Sequence, residues 1–330
     1  MGPGGIAGVC IGGKVTECKN ENDIEGNANV GGIVGFANEK SLSGNFEIID
    51  CNNSGIVTST GYNTISIHTM GANSTWNSCA AGGIIGYGIK TKVTNCYNTN
   101  LVTASKNNTV QRFDVGGIAG TLRNSEITKS YNIGTIKGDE NYVGSIGGIA
   151  GTGFYNVKVN NCYNEGEVSG YASIGGIVGV GNMIDIRYCY NKGEVTAFYQ
   201  TAGGIVGHLQ PWNSNIYENF IYYCYNKGTV TATDRTGSIN GYFYYMDADY
   251  IYSLEKVTQS NSNWGGGSSY INATKQGIFN KETLISTVLS EFGENFKQDY
   301  EGSESVNDGF PILTWQVQKS KMPQNKTTNN

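Results

Sequence analysis

Apolar and polar positions along this chain recur as one repeated sentence rather than as a helical or strand-by-strand alternation. A bare apolar run, Gly-Gly-Ile-(Val/Ala/Ile)-Gly, begins at Gly4, Gly31, Gly82, Gly116, Gly147, Gly175 and Gly203, with a degraded eighth copy at Gly237-Ser238-Ile239-Asn240-Gly241. After each regular copy comes a small column residue: Cys18, Cys51, Cys96, Ser130, Cys162, Cys189 and Cys224. Two residues later the chain always carries Asn, at Asn20, Asn53, Asn98, Asn132, Asn164, Asn191 and Asn226. Six residues after the column it is always β-branched: Ile24, Val57, Val102, Ile136, Val168, Val195 and Val230. Columns that survive loops of different length mark stacked rungs, because only stacking makes equivalent positions neighbours.

The starts at Gly147, Gly175 and Gly203 are 28 residues apart. Each such period contains three β-rich runs separated by turn residues, for example Ile174 to Gly179, Met183 to Tyr190 and Glu194 to Ala197. No segment of the repeat shows apolar residues at helical spacing over three turns. The fold predicted is all-β, a parallel β-solenoid of about eight rungs and roughly 35 to 40 Å in length at about 4.8 Å per rung. Asn followed two residues later by Gly, as in Asn164/Gly166, Asn191/Gly193 and Asn226/Gly228, marks a turn. Stacked Asn side chains there are expected to form a structural ladder that satisfies turn amides along the rod.

Two features of the repeat do not fit a simple half-buried strand. The Gly-Gly-Ile run is apolar or bare on both faces, so either something covers it or its glycines bring two backbones together. The insertions Thr58 to Ala81 and His208 to Ile221 are candidates for such a cover. The Cys column poses the second problem. The apolar residue three before it (Val93, Val159, Ile186) shares a face with the following Tyr in a straight strand, which would turn Cys outward. A bend before the turn would return the thiol to the core, where free Cys behaves as a small hydrophobe. Ser130 in the same column argues against a disulfide framework, so reduced, buried thiols are expected, with Cys10 and Cys79 off the column and open to pairing. No Cys-x-x-Cys pair is present, and no zinc is expected.

The pattern divides the chain into a solenoid at 1–241, an aromatic-rich cap at 242–315 and a polar tail at 316–330. The cap opens with Tyr242-Phe243-Tyr244-Tyr245 and Tyr250-Ile251-Tyr252. Asn280 then caps a predicted helix bearing Leu284, Ile285, Val288, Leu289 and Phe292 at helical spacing. A last strand follows at Phe310 to Trp315. An α+β unit of this kind is expected to close the open end of the rod, where unpaired amides invite aggregation.

Composition removes several functions. The 330 residues include 48 Gly and four Pro, charged residues make up 15 %, and the net charge is −5. No Lys/Arg cluster offers a footprint for a phosphate backbone, so no nucleic-acid partner is expected. No apolar run reaches the roughly 20 residues of a membrane helix, so no membrane insertion is expected. Met1-Gly2-Pro3 lacks signal-peptide regions and enters a repeat at Gly4, which reads as a piece of a longer parent chain with other domains.

Gly-Gly-Ile-Val-Gly followed by Cys-Tyr-Asn-x-Gly-x-Val resembles the GLUG repeat of bacterial surface proteins, which include adhesin-like proteins and spacer regions of IgA-specific metalloproteases. The segment from Leu284 to Trp315, with Phe292-Gly293, Phe296, Asp299 and Asp308-Gly309-Phe310-Pro311-Ile312-Leu313-Thr314-Trp315, is similar to the module that closes such arrays. The resemblance implies an extracellular or cell-surface setting and no single activity. The first two copies depart from it, with Lys19 and Asn52 where later copies carry Tyr.

A non-catalytic surface module, acting as adhesin, spacer or scaffold for a glycan or host protein, is the first functional expectation, with no cofactor. His68 and His208 stand alone, and no His-Glu-x-x-His motif occurs, so the metalloprotease chemistry found beside some such repeats is not implied. The column Tyr97, Tyr131, Tyr163, Tyr190 and Tyr225 is a candidate stripe for sugar stacking, since each ring offers a flat apolar face and a polar tip. The structural alternative is that these rings pack between rungs. An enzyme is the second expectation, because β-helices host polysaccharide-degrading enzymes whose carboxylates lie in a surface groove. Asp247, Asp249 and Asp185 with Arg187 are the candidates. A Thr/Ser column (Thr58, Thr103, Ser169, Thr196, Thr231) interrupted by Glu25 and Lys137 makes a poor lattice for ice binding.

Overall fold

The computed structural model describes residues 2–39, 44–61, 78–105, 112–210, 219–258, 264–265, 267–272 and 275–321. It is an all-β parallel solenoid, as the repeat implies. A complete rung comprises a short strand (Ser173–Gly175), a long one (Val178–Arg187), a two-residue strand (Tyr190–Asn191) and a three-residue one (Val195–Ala197). Successive rungs pair in parallel with the sequence columns in register: Ile146, Ile174 and Ala202; Tyr163, Tyr190 and Tyr225; Val168, Val195 and Val230. The run from Ile174 to Gly179 is therefore not one strand. A corner at Gly176-Ile177 divides it, and its second half joins the next run into Val178–Arg187.

The glycines of the bare run exist because backbones meet there, which answers the question of what covers them. A Cβ on Gly176 would lie 2.1 Å from the Gly204 carbonyl oxygen and 2.4 Å from Cγ of Asn191. A Cβ on Gly179 would lie 2.5 Å from the amide nitrogen of Ile146. Only glycine permits such approach. Of the two insertions considered as covers, residues 62–77 and 211–218 lie outside the described residues, as does His68.

The bend that turns the Cys column inward is a single left-handed residue placed just before it in every rung: Glu17, Asp50, Asn95, Lys129, Asn161, Tyr188 and Tyr223, with φ between 49° and 55°. Non-glycine residues at such φ are uncommon and sharply redirect a strand. Cys51, Cys96, Cys162, Cys189 and Cys224 are fully buried in the main core beside Ile48, Val93, Val159 and Ile186. All eight cysteines, Cys10 and Cys79 included, are free thiols. The thiols also repair the bend. The amide of Cys51 donates to Sγ of Cys96 (3.4 Å), and that of Cys96 to the hydroxyl of Ser130 (3.1 Å). Either a thiol or a hydroxyl can accept that bond, which explains why Ser is admitted to the column.

Beyond Gly241 the stack continues. Asn240–Leu254 pairs in parallel with Val206–Leu209 and with Phe220–Asn226, and Gly267–Asn272 and Gln276–Phe279 pair with it in turn. The first aromatic stretch of the expected cap is thus another rung, with Met246, Ala248 and Ile251 buried inside it. The remainder is the α+β unit. Helix Lys281–Glu291 starts at Asn280, whose side chain accepts from the Thr283 amide at 2.9 Å, and Phe296–Lys297 pairs antiparallel with Ile312–Leu313. This unit lies along the side of the rod, on the tyrosine column, rather than across its end.

Candidate functional site

The Asn column is a continuous ladder. Each Nδ2 donates to Oδ1 of the next Asn, from Asn20 to Asn53 (2.7 Å), Asn53 to Asn98 (2.8 Å), Asn98 to Asn132 (2.8 Å), Asn132 to Asn164 (2.8 Å), Asn164 to Asn191 (2.9 Å) and Asn191 to Asn226 (2.9 Å). The other amide hydrogen donates to a carbonyl two residues on, such as Gly193 from Asn191 at 2.8 Å. All seven side chains are buried, so the column offers nothing to a ligand. Ser253 takes the next position and ends the ladder.

The tyrosines stack with ring centroids 5.1 Å apart for Tyr97–Tyr131, 4.8 Å for Tyr131–Tyr163, and 5.1 Å for both Tyr163–Tyr190 and Tyr190–Tyr225. The C-terminal segment runs backwards along them. Phe292 packs on Tyr252, Phe296 on Tyr225 and Tyr190, and Trp315 on Tyr163 and Tyr131. The Tyr225 hydroxyl donates to the Pro311 carbonyl and accepts from Asn307 Nδ2 at 2.7 Å. Asp299 organises this segment by accepting from Ser305 Oγ and from the amides of Val306, Asn307 and Gly309 at 2.6 to 3.1 Å. Burial works to raise its pKa, but these bonds outweigh it and hold the carboxyl below its usual range. Lys227 fastens the segment to the rod through Asp308 at 2.7 Å.

Exposure along the ladder consequently changes from one end to the other. Tyr190 and Tyr225 are 0 % exposed, Tyr163 1 % and Tyr131 8 %, while Tyr97 is partly open. Burial raises the phenol pKa of the covered rings well above normal, with Tyr163, Tyr190 and Tyr225 locked in the neutral form. Of the five candidate stripe residues, three are therefore enclosed by the chain's own C-terminal segment. The other two lie where the segment stops, Tyr97 partly open and Tyr131 buried beside Trp315 with 8 % of its surface exposed.

There they line a cavity of about 330 Å3 together with Asp50, Asn52, Asn95, Tyr163, Trp315, Gln316 and Val317. Its floor is the stacked rings and one wall is the Trp315 indole, whose buried Nε1 has no acceptor among the described residues. The polar rim arises from the bend column, where Asn95 Nδ2 donates to Asp50 Oδ1. Asn52 sits in register with Tyr97, so the departure of the second repeat from the Tyr column ends the ladder and forms the edge of the cleft. Trp315 was not among the sequence candidates. No local signal marks it, because its role comes from a fold-back that places it beside residues some 150 to 180 positions earlier.

The carboxylate candidates lie elsewhere. Asp185 holds Arg187 in an ion pair of 2.7 Å and shares a column with Phe220 and Asp247. Asp247 and Asp249 point to the same side of one strand, and Asp249 accepts the Tyr250 amide at 3.1 Å.

No protein-family model matches the chain, and no curated protein matches it. Among solved structures, the chain is similar to a Bacteroides ovatus protein that carries the provisional name immunoglobulin A1 protease. The two share 19 % identity at a TM-score of 0.50, over 93 % of this chain and 87 % of that one. At that identity the likeness is one of fold.

Proposed function

We propose that this chain is a non-catalytic repeat module of the GLUG type in an extracellular or surface-attached bacterial protein, serving as a rigid scaffold that holds a glycan or host-protein partner. The observation that carries this reading is the tyrosine ladder, which emerges from beneath the C-terminal segment into one open, aromatic-floored cleft. The Asn and Cys columns hold rungs together, so the cleft is where a structural column gains a free face. Concave, mostly apolar surfaces with a few convergent polar groups are the usual form of a binding site. The fold likeness to a protein named for immunoglobulin A1 cleavage accords with a spacer beside such an enzyme, with the parent's other domains supplying any chemistry.

The test is a glycan and extracellular-matrix array probed with the whole chain and with Tyr97→Ala. A hit lost in a variant of unchanged unfolding midpoint supports a binding module; no hit on any surface reduces the chain to a passive spacer. A polysaccharide-degrading activity is the second reading, favoured by Asp247 and Asp249 on one outward face. Depolymerisation of a polysaccharide panel by the wild type but not by Asp247→Ala would replace the first reading with this one.

A further inference from the structure

We infer that the cleft between Tyr97, Tyr131 and Trp315 takes the uncharged end of a saccharide, and that Asp50 excludes acidic sugars from it. This rests on the binding reading above and narrows it to one site and one ligand class.

The volume supports a small ligand. About 330 Å3 is near the lower limit of small-molecule sites, which suits a terminal sugar unit rather than an extended chain lying along the rod. The surfaces specify its chemistry. Tyr131 carries Tyr97 on one face at 5.1 Å and Tyr163 on the other at 4.8 Å and offers only its ring edge, whereas Tyr97 has no ring stacked on its Asn52 side and presents that face beside the tilted Trp315 indole. A pyranose presents C–H groups on its faces and hydroxyls around its edge, matching aromatic walls with a polar rim. The polar side chains at its rim are Asp50, Asn52 and Asn95, whereas Gln316 is buried with its amide engaged by Tyr190 and Leu313. One Asp50 oxygen is engaged by Asn95, and the other carries no hydrogen bond among the described residues, leaving an acceptor for a sugar hydroxyl.

Charge sets the selectivity. The lining holds one carboxylate and no cation. Lys19, whose charge acts on Tyr97, lies outside the lining and pairs with Glu21 at the exposed surface. A uronate, sialate or sulfate group would meet Asp50 without a counter-charge, and unpaired like charges inside a partly enclosed site oppose binding.

The experiment is calorimetric titration of the whole chain with neutral disaccharides (lactose, maltose, cellobiose, chitobiose) and with sialyl-lactose and glucuronic acid. The expected result is binding of at least one neutral disaccharide, weakened by about tenfold or more in Tyr97→Ala, with sialyl-lactose weaker than lactose by a similar factor. Asp50→Asn should retain neutral binding and narrow the gap to acidic sugars. Tyr97 is only partly buried, so its variant should fold, and an unchanged melting curve checks that. Acidic sugars binding as well as neutral ones, neutral binding indifferent to Tyr97→Ala, or no neutral binding at millimolar concentration would each overturn the inference. Array binding that survives Tyr97→Ala would remove this site while leaving the module reading intact; a chain that binds nothing on the array removes both.

Discussion

The Tyr190 hydroxyl and the Gln316 side-chain amide, 126 residues apart, meet in the buried centre of the tyrosine ladder: the hydroxyl donates to Oε1 at 3.1 Å and accepts from Nε2 at 2.8 Å. Oε1 also accepts from the Leu313 amide at 2.7 Å. This pairing anchors the C-terminal segment to the middle of the rod and sets where Trp315 stands.

Tyr190→Phe should therefore loosen the cleft without touching it. Loss of the hydroxyl strips the Gln316 amide of a buried partner, at a cost of about 1–3 kcal/mol. Urea unfolding would register that loss, and a titration with whichever ligand binds the cleft would show weaker affinity. Unchanged stability would mean that the segment is held by its apolar contacts alone.

Asn191→Ala should destabilise far more than a surface substitution. It removes donations to Asn226 and Gly193 and leaves one of the two Nδ2 hydrogens of Asn164 without its acceptor, the other keeping the Gly166 carbonyl, all in a buried interior. The expected loss is several kcal/mol, at roughly 1–3 kcal/mol for each orphaned group. A midpoint shift like that of an exposed Asn would refute a load on the ladder.

Gly176→Ala should prevent folding of the rung. The added Cβ would lie 2.1 Å from the Gly204 carbonyl oxygen, with Asn191 closing the other side, and backbone cannot move aside without breaking the register above. Circular dichroism and exclusion chromatography of the purified variant would reveal it.

Thiol accessibility offers a test of the inward bend. Cys51, Cys79, Cys96, Cys162, Cys189 and Cys224 are buried, whereas Cys10 and Cys18 are partly open. Ellman's reagent should modify two thiols quickly in the native chain and all eight in denaturant. Rapid native modification of six or more would contradict the inward column.

Acid should weaken the fold through His208. Burial, assisted by Arg112 and Arg235, lowers its pKa to about 4 from 6.5. Between these values the unfolded chain binds the proton and the folded chain does not, so stability contributed by the neutral imidazole is present above pH 6.5 and is lost as pH falls toward 4. The effect should amount to roughly 1–3 kcal/mol, and His208→Gln should flatten the decline in melting temperature over that interval.

Much of this was legible in the chain. Stacking forces identical columns, so the in-register parallel rungs and the Asn191-type ladder follow from spacing, as does the helix begun by Asn280; the buried thiols follow from the apolar character of free Cys, against the spacing of a straight strand. The left-handed residue before each Cys carries no sequence signature because its identity varies from Glu17 to Tyr223; the constraint is on backbone dihedral, and several side chains tolerate it. The continuation of the stack through Asn240–Leu254 was hidden because aromatics replaced the repeat consensus, while alternation kept Met246 and Ala248 inside and the left-handed Tyr250 turned Ile251 in after them.

By itself, then, the sequence determined the rod, since repetition is a local property that each rung passes to the next through hydrogen bonds and small side chains. Only the tertiary structure decided which tyrosines face an open cleft. Their column is uniform in sequence, and what distinguishes Tyr97 from Tyr190 is a segment more than a hundred residues later folding back over one and stopping short of the other. That choice depends on long-range packing of Phe296, Pro311 and Trp315 against the ladder, which no spacing between neighbouring residues encodes.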